Sequence, residues 1–301
     1  MVKTDFSSEL KKLLALEYNC AESDVGGAEN VLTVSSGNGG RRYSPDNAFF
    51  SMATTGSNCL ITADERMQPF LRDFIVRGEQ GHWLFEEGKL AELERELNCH
   101  GYKLQGWGAH HMFLPKYSVE VSRKFSVKRL DGYDCFKEFY GDKRFPNALC
   151  GKYLPERPDE IVLMALDGDK IMGMAGASRD YEGSPSWLQI GIDVLPEYRC
   201  SGVGTFLVNE LKNIILESGD IPFYGTSPAN IYSQNIAINC GFRPAWVEIA
   251  ADRIRSDGMD DKEKNQPGKN NGETSDDKTW VDDMKQELED YIEEQGIYIR
   301  Q

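Results

Sequence analysis

Apolar residues recur along this chain with two periods, and the switches between them divide it into elements. Leu10, Leu13, Leu14 and Glu17 share a helical face and predict a helix over 5–18. Val31–Val34 predicts a strand, and Asn47–Ala53 and Cys59–Thr62 predict two more. Helical spacing returns over Asp64–Arg77, with Met67, Phe70, Leu71 and Phe74 inside, and again over Gly88–Leu97. Tyr102–Leu114 reads as extended, broken by Gly106 and Gly108. The polar stretch 116–128 predicts a connector, 131–141 a helix, and Phe145–Arg157 a loop. Alternation resumes in Ile161–Asp167 and Lys170–Arg179, hinged at Gly168 as a hairpin. Strands at Trp187–Val194 and Ile221–Thr226, a helix at Ile231–Cys240 and an extended stretch at Phe242–Ala250 follow.

The sharpest switch falls at residues 188–207. Leu188, Ile190, Ile192 and Val194 alternate with Gln189, Gly191 and Asp193, so one face of this strand is apolar and the other polar. Pro196 ends the strand because it has no N–H to give a neighbour. From Val203 the period becomes helical, with Leu207, Leu211 and Ile214 on one stripe. Arg199-Cys200-Ser201-Gly202-Val203-Gly204 lies between the two. The first N–H groups of a helix have no partner inside it, and the helix dipole favours negative charge there. Gly202 and Gly204 would let an anion approach the backbone, and Arg199 adds positive charge. The same glycines also suit a plain tight turn. A Walker loop is excluded, since Thr205-Phe206 follows Gly204, and a dinucleotide fingerprint is excluded by Leu207.

Val194-x-Pro196-Glu197-Tyr198-Arg199-x-x-Gly202-x-Gly204 resembles the acyl-CoA-binding motif of the GNAT superfamily of N-acyltransferases. Asn230-x-x-Ser233-x-x-Ile236-Ala237-x-x-x-Gly241-Phe242 resembles that family's later segment, at the right distance. The resemblance covers about residues 127–252. It implies an α/β fold with a mixed, mainly antiparallel sheet flanked by helices. It implies acetyl-CoA or another acyl-CoA as co-substrate, without a metal, and a small-molecule amine as acceptor. Arg199, Cys200, Ser201, Gly202, Val203, Gly204 and Thr205 would then hold the CoA pyrophosphate. The backbone at Val194 would pair with the pantetheine arm, and Asn230 and Ser233 would lie near it. Asn230 equally suits a helix N-cap.

The expected domains are an acceptor-shaping α/β domain over 1–120, the GNAT-like domain over 121–253, a linker over 254–278 and a C-terminal helix and strand over 279–301. The first of these carries an echo of the second. Leu97-Asn98-Cys99-His100-Gly101-Tyr102 parallels Ile238-Asn239-Cys240-Gly241-Phe242, as a degenerate copy of the fold would. Asp257–Lys278 has no apolar spacing. Trp280, Met284, Leu288, Tyr291 and Ile292 restore a stripe, and Ile297–Ile299 reads as an edge strand. That last helix is expected to dock on the body or on a partner subunit, giving a homodimer in the second case.

Charge narrows the partners. The chain carries a net −15 over 301 residues, without a basic run, which argues against nucleic acid. Residues 256–301 hold 14 acids against 6 bases, so much of the acidity belongs to the tail and says little about the substrate. No apolar run reaches the roughly 18 residues of a membrane span. The start of the chain lacks a signal-peptide core, and seven cysteines without a C-x-x-C pair suit reduced thiols. These features predict a cytoplasmic protein. His110-His111 is a poor metal grip, because neighbours on a strand point to opposite faces.

The resemblance breaks at two chemical positions. Leu188 stands where the family usually has its glutamate, and Ala237 where it often has a tyrosine. Asp193, on the polar face of its strand, is the candidate base, with a structural acid bonded to nearby amides as the competing role. Tyr224 and Tyr232 are candidate acids or packing residues. The expected function is transfer of an acetyl or other acyl group from acyl-CoA to a primary amine of a small molecule or amino acid. The alternative is a non-catalytic acyl-CoA-binding or regulatory protein.

Overall fold

In this computed structural model, residues 4–254 are described, apart from 37–38, 42–48, 76–79, 107, 123 and 150. They belong to the first of two units, Met1–Pro267; the second, Gly268–Gln301, lies outside the described residues. The expected helix over 279–294 and strand over 297–299, with nearly all of the linker before them, therefore fall outside as well.

The described part is organised on one sheet. Its strands are β1 (Val31–Val34), β2 (Phe50–Thr54), β3 (Cys59–Ala63), β4 (Tyr102–Leu104), β5 (His110–Pro115) and β6 (Ser126–Asp131). They continue as β7 (Asp159–Asp167), β8 (Lys170–Tyr181), β9 (Trp187–Val194), β10 (Ile221–Thr226) and β11 (Phe242–Arg253). The order is β1-β3-β2-β11-β5-β10-β9-β8-β7-β6, with β4 added to the far end of β11. Pairs β1–β3 and β9–β10 are parallel and the others antiparallel.

Helices α1 (Ser7–Glu17), α2 (Gln68–Phe74), α3 (Glu87–Cys99), α4 (Tyr133–Phe136), α5 (Val203–Glu217) and α6 (Ile231–Asn239) flank it. The alternation in β9 does what it predicts. Leu188 and Ile190, with Ile192 and Val194, pack with Val203, Leu207 and Leu211 of α5. Trp187, on the opposite face, packs with Met112, Phe223 and Trp246. Asp64 caps the turn ahead of α2 by accepting from the Arg66 N–H, as its place before an apolar run suggests.

Two readings need correction. The segment taken as the end of a connector and the start of a helix is edge strand β6, followed by the four-residue α4 and a 3-10 turn, Lys137–Phe139. Only Leu130 of β6 is buried, so the strand has no apolar alternation to read. The extended stretch 102–114 is two strands with different partners: β4 pairs with β11, while β5 runs between β10 and β11. The first half of the chain thus places a strand inside the sheet of the second half.

Both halves join a helix to a strand through a left-handed glycine: α3 to β4 at Gly101 (φ 78°) and α6 to β11 at Gly241 (φ 85°). The likeness ends there among the described residues. In the second half α5 crosses between the parallel pair β9 and β10, whereas β3, α2 and α3 lead to β4, which pairs with β11. The fold does not establish a degenerate second copy.

Candidate functional site

The parallel pair β9–β10 defines the site. Their register runs Ile221↔Trp187, Pro222↔Leu188, Phe223↔Gln189 and then stops. Beyond it β9 keeps pairing with β8 as far as Val194, and β10 pairs with β5 through Tyr224–Thr226. The facing edges past Gln189 and Phe223 therefore open as a wedge in the sheet.

The turn after β9 leads to the start of α5. Pro196–Tyr198 forms a 3-10 turn, and Cys200 (φ 59°) and Gly202 (φ 94°) take left-handed backbone. The first bond of the helix runs from the Phe206 N–H to the Gly202 carbonyl, 3.0 Å. The N–H groups of Val203, Gly204 and Thr205 precede it, and no side chain caps the end. Arg199 and Cys200 are exposed, and Ser201 is fixed by its hydroxyl, which donates to the Tyr198 carbonyl at 2.5 Å. Arg199 Nε donates to the Val194 carbonyl at 3.3 Å, drawing the charge back toward the strand end.

The two glycines have separate reasons. Gly202 supplies positive φ, which costs other residues conformational energy. A Cβ on Gly204 would lie 3.0 Å from Ile236 Cδ1 and 3.4 Å from Val194 Cγ2, so it points into the protein. The expectation that Gly204 clears space for an anion is corrected: it lets α5 sit close to α6 and the end of β9.

Asn230 is the N-cap of α6, accepting from the Ser233 N–H at 3.1 Å. Ser233 shares a 2.7 Å hydrogen bond with the Tyr224 hydroxyl. Burial pushes the Tyr224 phenol up to about 12. Tyr232, by contrast, is 81% exposed. Behind these residues the buried Lys212 ammonium donates to Asn209 Oδ1 and to the Cys240 carbonyl, tying α5 to the end of α6.

On the polar face of β9, Asp193 is engaged by three donors. Asn147 N–H and Ala148 N–H reach Oδ2 at 2.7 and 2.8 Å, and Asn147 Nδ2 reaches Oδ1 at 2.6 Å. Burial raises its pKa, while those bonds and Arg199 pull the other way. The segment it holds lies directly on the sheet. A Cβ on Gly191 would fall 1.7 Å from the Asn147 carbonyl oxygen, and one on Gly176 1.7 Å from that of Ala148. Gly176 and Gly191 face each other across β8 and β9, so two glycines in register form the seat for this backbone.

Further along that face, Arg157 bonds the buried Asp180 and donates to Gln189 Oε1 at 2.7 Å. Sequence reading missed Asn147, Arg157 and Gln189; the matched glycines 176 and 191 were the signal available for the first. His110 and His111 are both half-buried on β5, the first opposite Glu248 and the second opposite Thr226 and Val247. Among the described residues no group of three or more His, Cys, Asp or Glu side chains is placed to hold a metal ion, and no helix is long and apolar enough to cross a membrane.

Residues 131–242 match the model of the acetyltransferase (GNAT) family. No curated protein matches the chain. Similar solved structures include a putative GNAT-family acetyltransferase from Novosphingobium aromaticivorans, 14% identical over 50% of this chain and 66% of its own, with a TM-score of 0.40. A GNAT-family acetyltransferase from Colwellia psychrerythraea is 14% identical over 53% of this chain and 62% of its own, TM-score 0.37. An aminoglycoside N-acetyltransferase in complex with CoA is 20% identical over 42% of this chain and 93% of its own, TM-score 0.31. The chain spans just under two thirds of the length of the first two. It carries, at residues 131–242, an acetyltransferase domain of the GNAT family.

Proposed function

We propose that the protein is an acyl-CoA-dependent N-acyltransferase that moves an acetyl or other acyl group to a primary amine of a small molecule or amino acid. The observation that carries this reading is the wedge between β9 and β10 with the uncapped start of α5 beside it. The turn from Arg199 to Thr205 offers N–H groups and a guanidinium to a pyrophosphate. The wedge offers backbone N–H and C=O groups at Val194 and along β10 to the amide-bearing pantetheine arm. Asn230 and Ser233 stand at the start of α6, next to Tyr224 of β10.

Transfer then needs alignment of the amine with the thioester carbonyl, removal of a proton and support of the oxyanion. Of the two roles weighed for Asp193, its three hydrogen bonds support the structural one: it anchors Asn147–Ala148 over the sheet. Calorimetry with CoA and acetyl-CoA turnover against a panel of amines test the proposal. CoA affinity with release of free thiol in an amine-dependent manner is expected. A protein that does not bind CoA would end it.

The engaged carboxylate of Asp193, with Leu188 and Ala237 at the family's usual positions, favours one other reading, a non-catalytic acyl-CoA-binding protein. CoA binding without turnover of any amine would select it.

A further inference from the structure

The registers around the wedge bring an unexpected residue to it. In β9–β10, Phe223 pairs with Gln189, so the same parallel register continued would set Ser227 level with Asp193. In β10–β5, Thr226 pairs with His111, which sets Ser227 level with His110. In β5–β11, His110 pairs with Glu248. His110 and Glu248 are thus paired neighbours, and the registers carried past their last pairs align Ser227, just after β10, and Asp193, across the wedge, with them.

They also share a face. Side chains alternate along a strand. Met112 packs with Trp187, Phe223 and Trp246, which puts His110 on the face of Gln189, Gly191 and Asp193. His111 lies on the other face with Phe113, which packs with Tyr224 and Phe242. One row closer to the apex the same face is filled: the Asn147 carbonyl covers Gly191, and Met112 Sδ and Gln189 Nε2 lie over Gly225.

We infer that His110, supplied by the first half of the chain through β5, is the base that takes the proton of the attacking amine, and that Glu248 is its positioning partner. This rests on the acyltransferase reading above. In the step, the nitrogen of the free amine bonds to the thioester carbonyl carbon, its proton passes to the His110 imidazole, and the C–S bond breaks. The thiolate of CoA then takes up a proton, which His110 returns directly or through solvent.

The surroundings suit that duty. Burial lowers the His110 pKa from 6.5, so the ring is neutral at neutral pH. A hydrogen bond to the Gly108 backbone and, after it, Glu248 work in the opposite direction, and His111 works with the burial. Glu248 accepts from Arg41 Nη2 at 2.6 Å and from Trp246 Nε1 at 2.5 Å. Paired with His110 across β5 and β11, it supports the charge that the ring gains on taking a proton. The assignment also accounts for a family domain that carries Leu188 and Ala237 at its usual chemical positions.

The test is acetyl transfer to the amine panel as a function of pH, for wild type, His110→Gln, His110→Ala and His111→Gln, with CoA binding measured on each. His110→Gln is expected to lose about 10²–10⁴-fold in kcat while keeping its CoA affinity. The extra fall of wild-type kcat/KM below pH 6.5 should vanish in His110→Gln. Added imidazole should restore part of the activity of His110→Ala, which a packing role would not allow. His111→Gln should behave as wild type. Wild-type kcat and an intact acid limb in His110→Gln would overturn the assignment, as would loss of CoA binding together with activity. Wild-type protein that binds CoA but acetylates no amine removes the base together with the enzyme reading, and wild-type protein that fails to bind CoA removes the acyl-CoA reading itself.

Discussion

Two arginine–glycine loops in this molecule begin from the same ingredients and end differently. Gly39-Gly40-Arg41 and Arg199 to Gly204 both combine left-handed glycine with a guanidinium, and both suit an anion. In the first, the anions are the protein's own. Arg41 donates to Glu17 through its backbone N–H, Nε and Nη2, each at 2.8 Å, and reaches Glu248 at 2.6 Å. Its side chain is 5% exposed and lies over the rings of Trp246 and Phe223. Burial opposes the charge, but the two carboxylates prevail and hold the guanidinium well above its usual range. In the second loop Arg199 is exposed, and the helix start beside it is uncapped by any side chain. Which loop stays open to a ligand depends on what distant segments bring to it, here Glu17 and Glu248, and not on the loop's own residues.

The contrast can be broken from either end. Arg41→Met should leave the half-buried Glu17 and Glu248 without their partner, costing about 2–4 kcal/mol by chemical denaturation with little change in CoA affinity at temperatures where the protein stays folded. A loss of CoA binding in a folded Arg41→Met protein would show that the two loops are not separate. Gly202→Asp puts a negative charge and a strained φ in the open turn. CoA affinity should fall about 100-fold, roughly 2.8 kcal/mol, as read by calorimetry; unchanged affinity would reject the pyrophosphate site.

Asp193→Asn presents a donor to the N–H groups of residues 147 and 148 and should cost about 1–3 kcal/mol of stability. It should raise the KM for the amine more than the Kd for CoA. Arg199→Ala, at an exposed site, should weaken CoA by about tenfold, roughly 1.4 kcal/mol, with the loss shrinking at high salt. The smallest effect is pH-linked. Because the folded pKa of His110 lies below 6.5, the unfolded chain takes up a proton first on acidification. Stability is therefore lost as pH falls through 6.5 toward the lower folded value, and His110→Gln should lack that component in a series of melting curves.

Much of the second half was legible because its elements are strongly periodic and stand in chain order. The strand–turn–helix at 187–217 and the N-cap at Asn230 follow from local physics: alternation, Pro196, Gly202 and an Asn ahead of a helix. What escaped was either solvent-facing or long-range. β6 is exposed at every position but Leu130 because it is an edge. Nothing local to His110 tells that β5 lies between β10 and β11, nor does anything near Asn147 tell that its backbone covers Gly191. Gly204 was legible as necessary but not for the right reason, since Ile236 lies 32 positions further along the chain.

The position of β5 has a practical consequence for anyone wishing to study the acetyltransferase domain alone. A fragment starting near residue 121 would delete the strand that separates β10 from β11 and strip β11 of β2 and β4 as well. β10 and the longer β11 would then expose open hydrogen-bonding edges flanked by Tyr224, Phe223 and Trp246, the kind of surface that recruits other chains. Such a fragment should aggregate or dimerise by strand exchange, and a synthetic peptide spanning residues 108–117 should compete with that association.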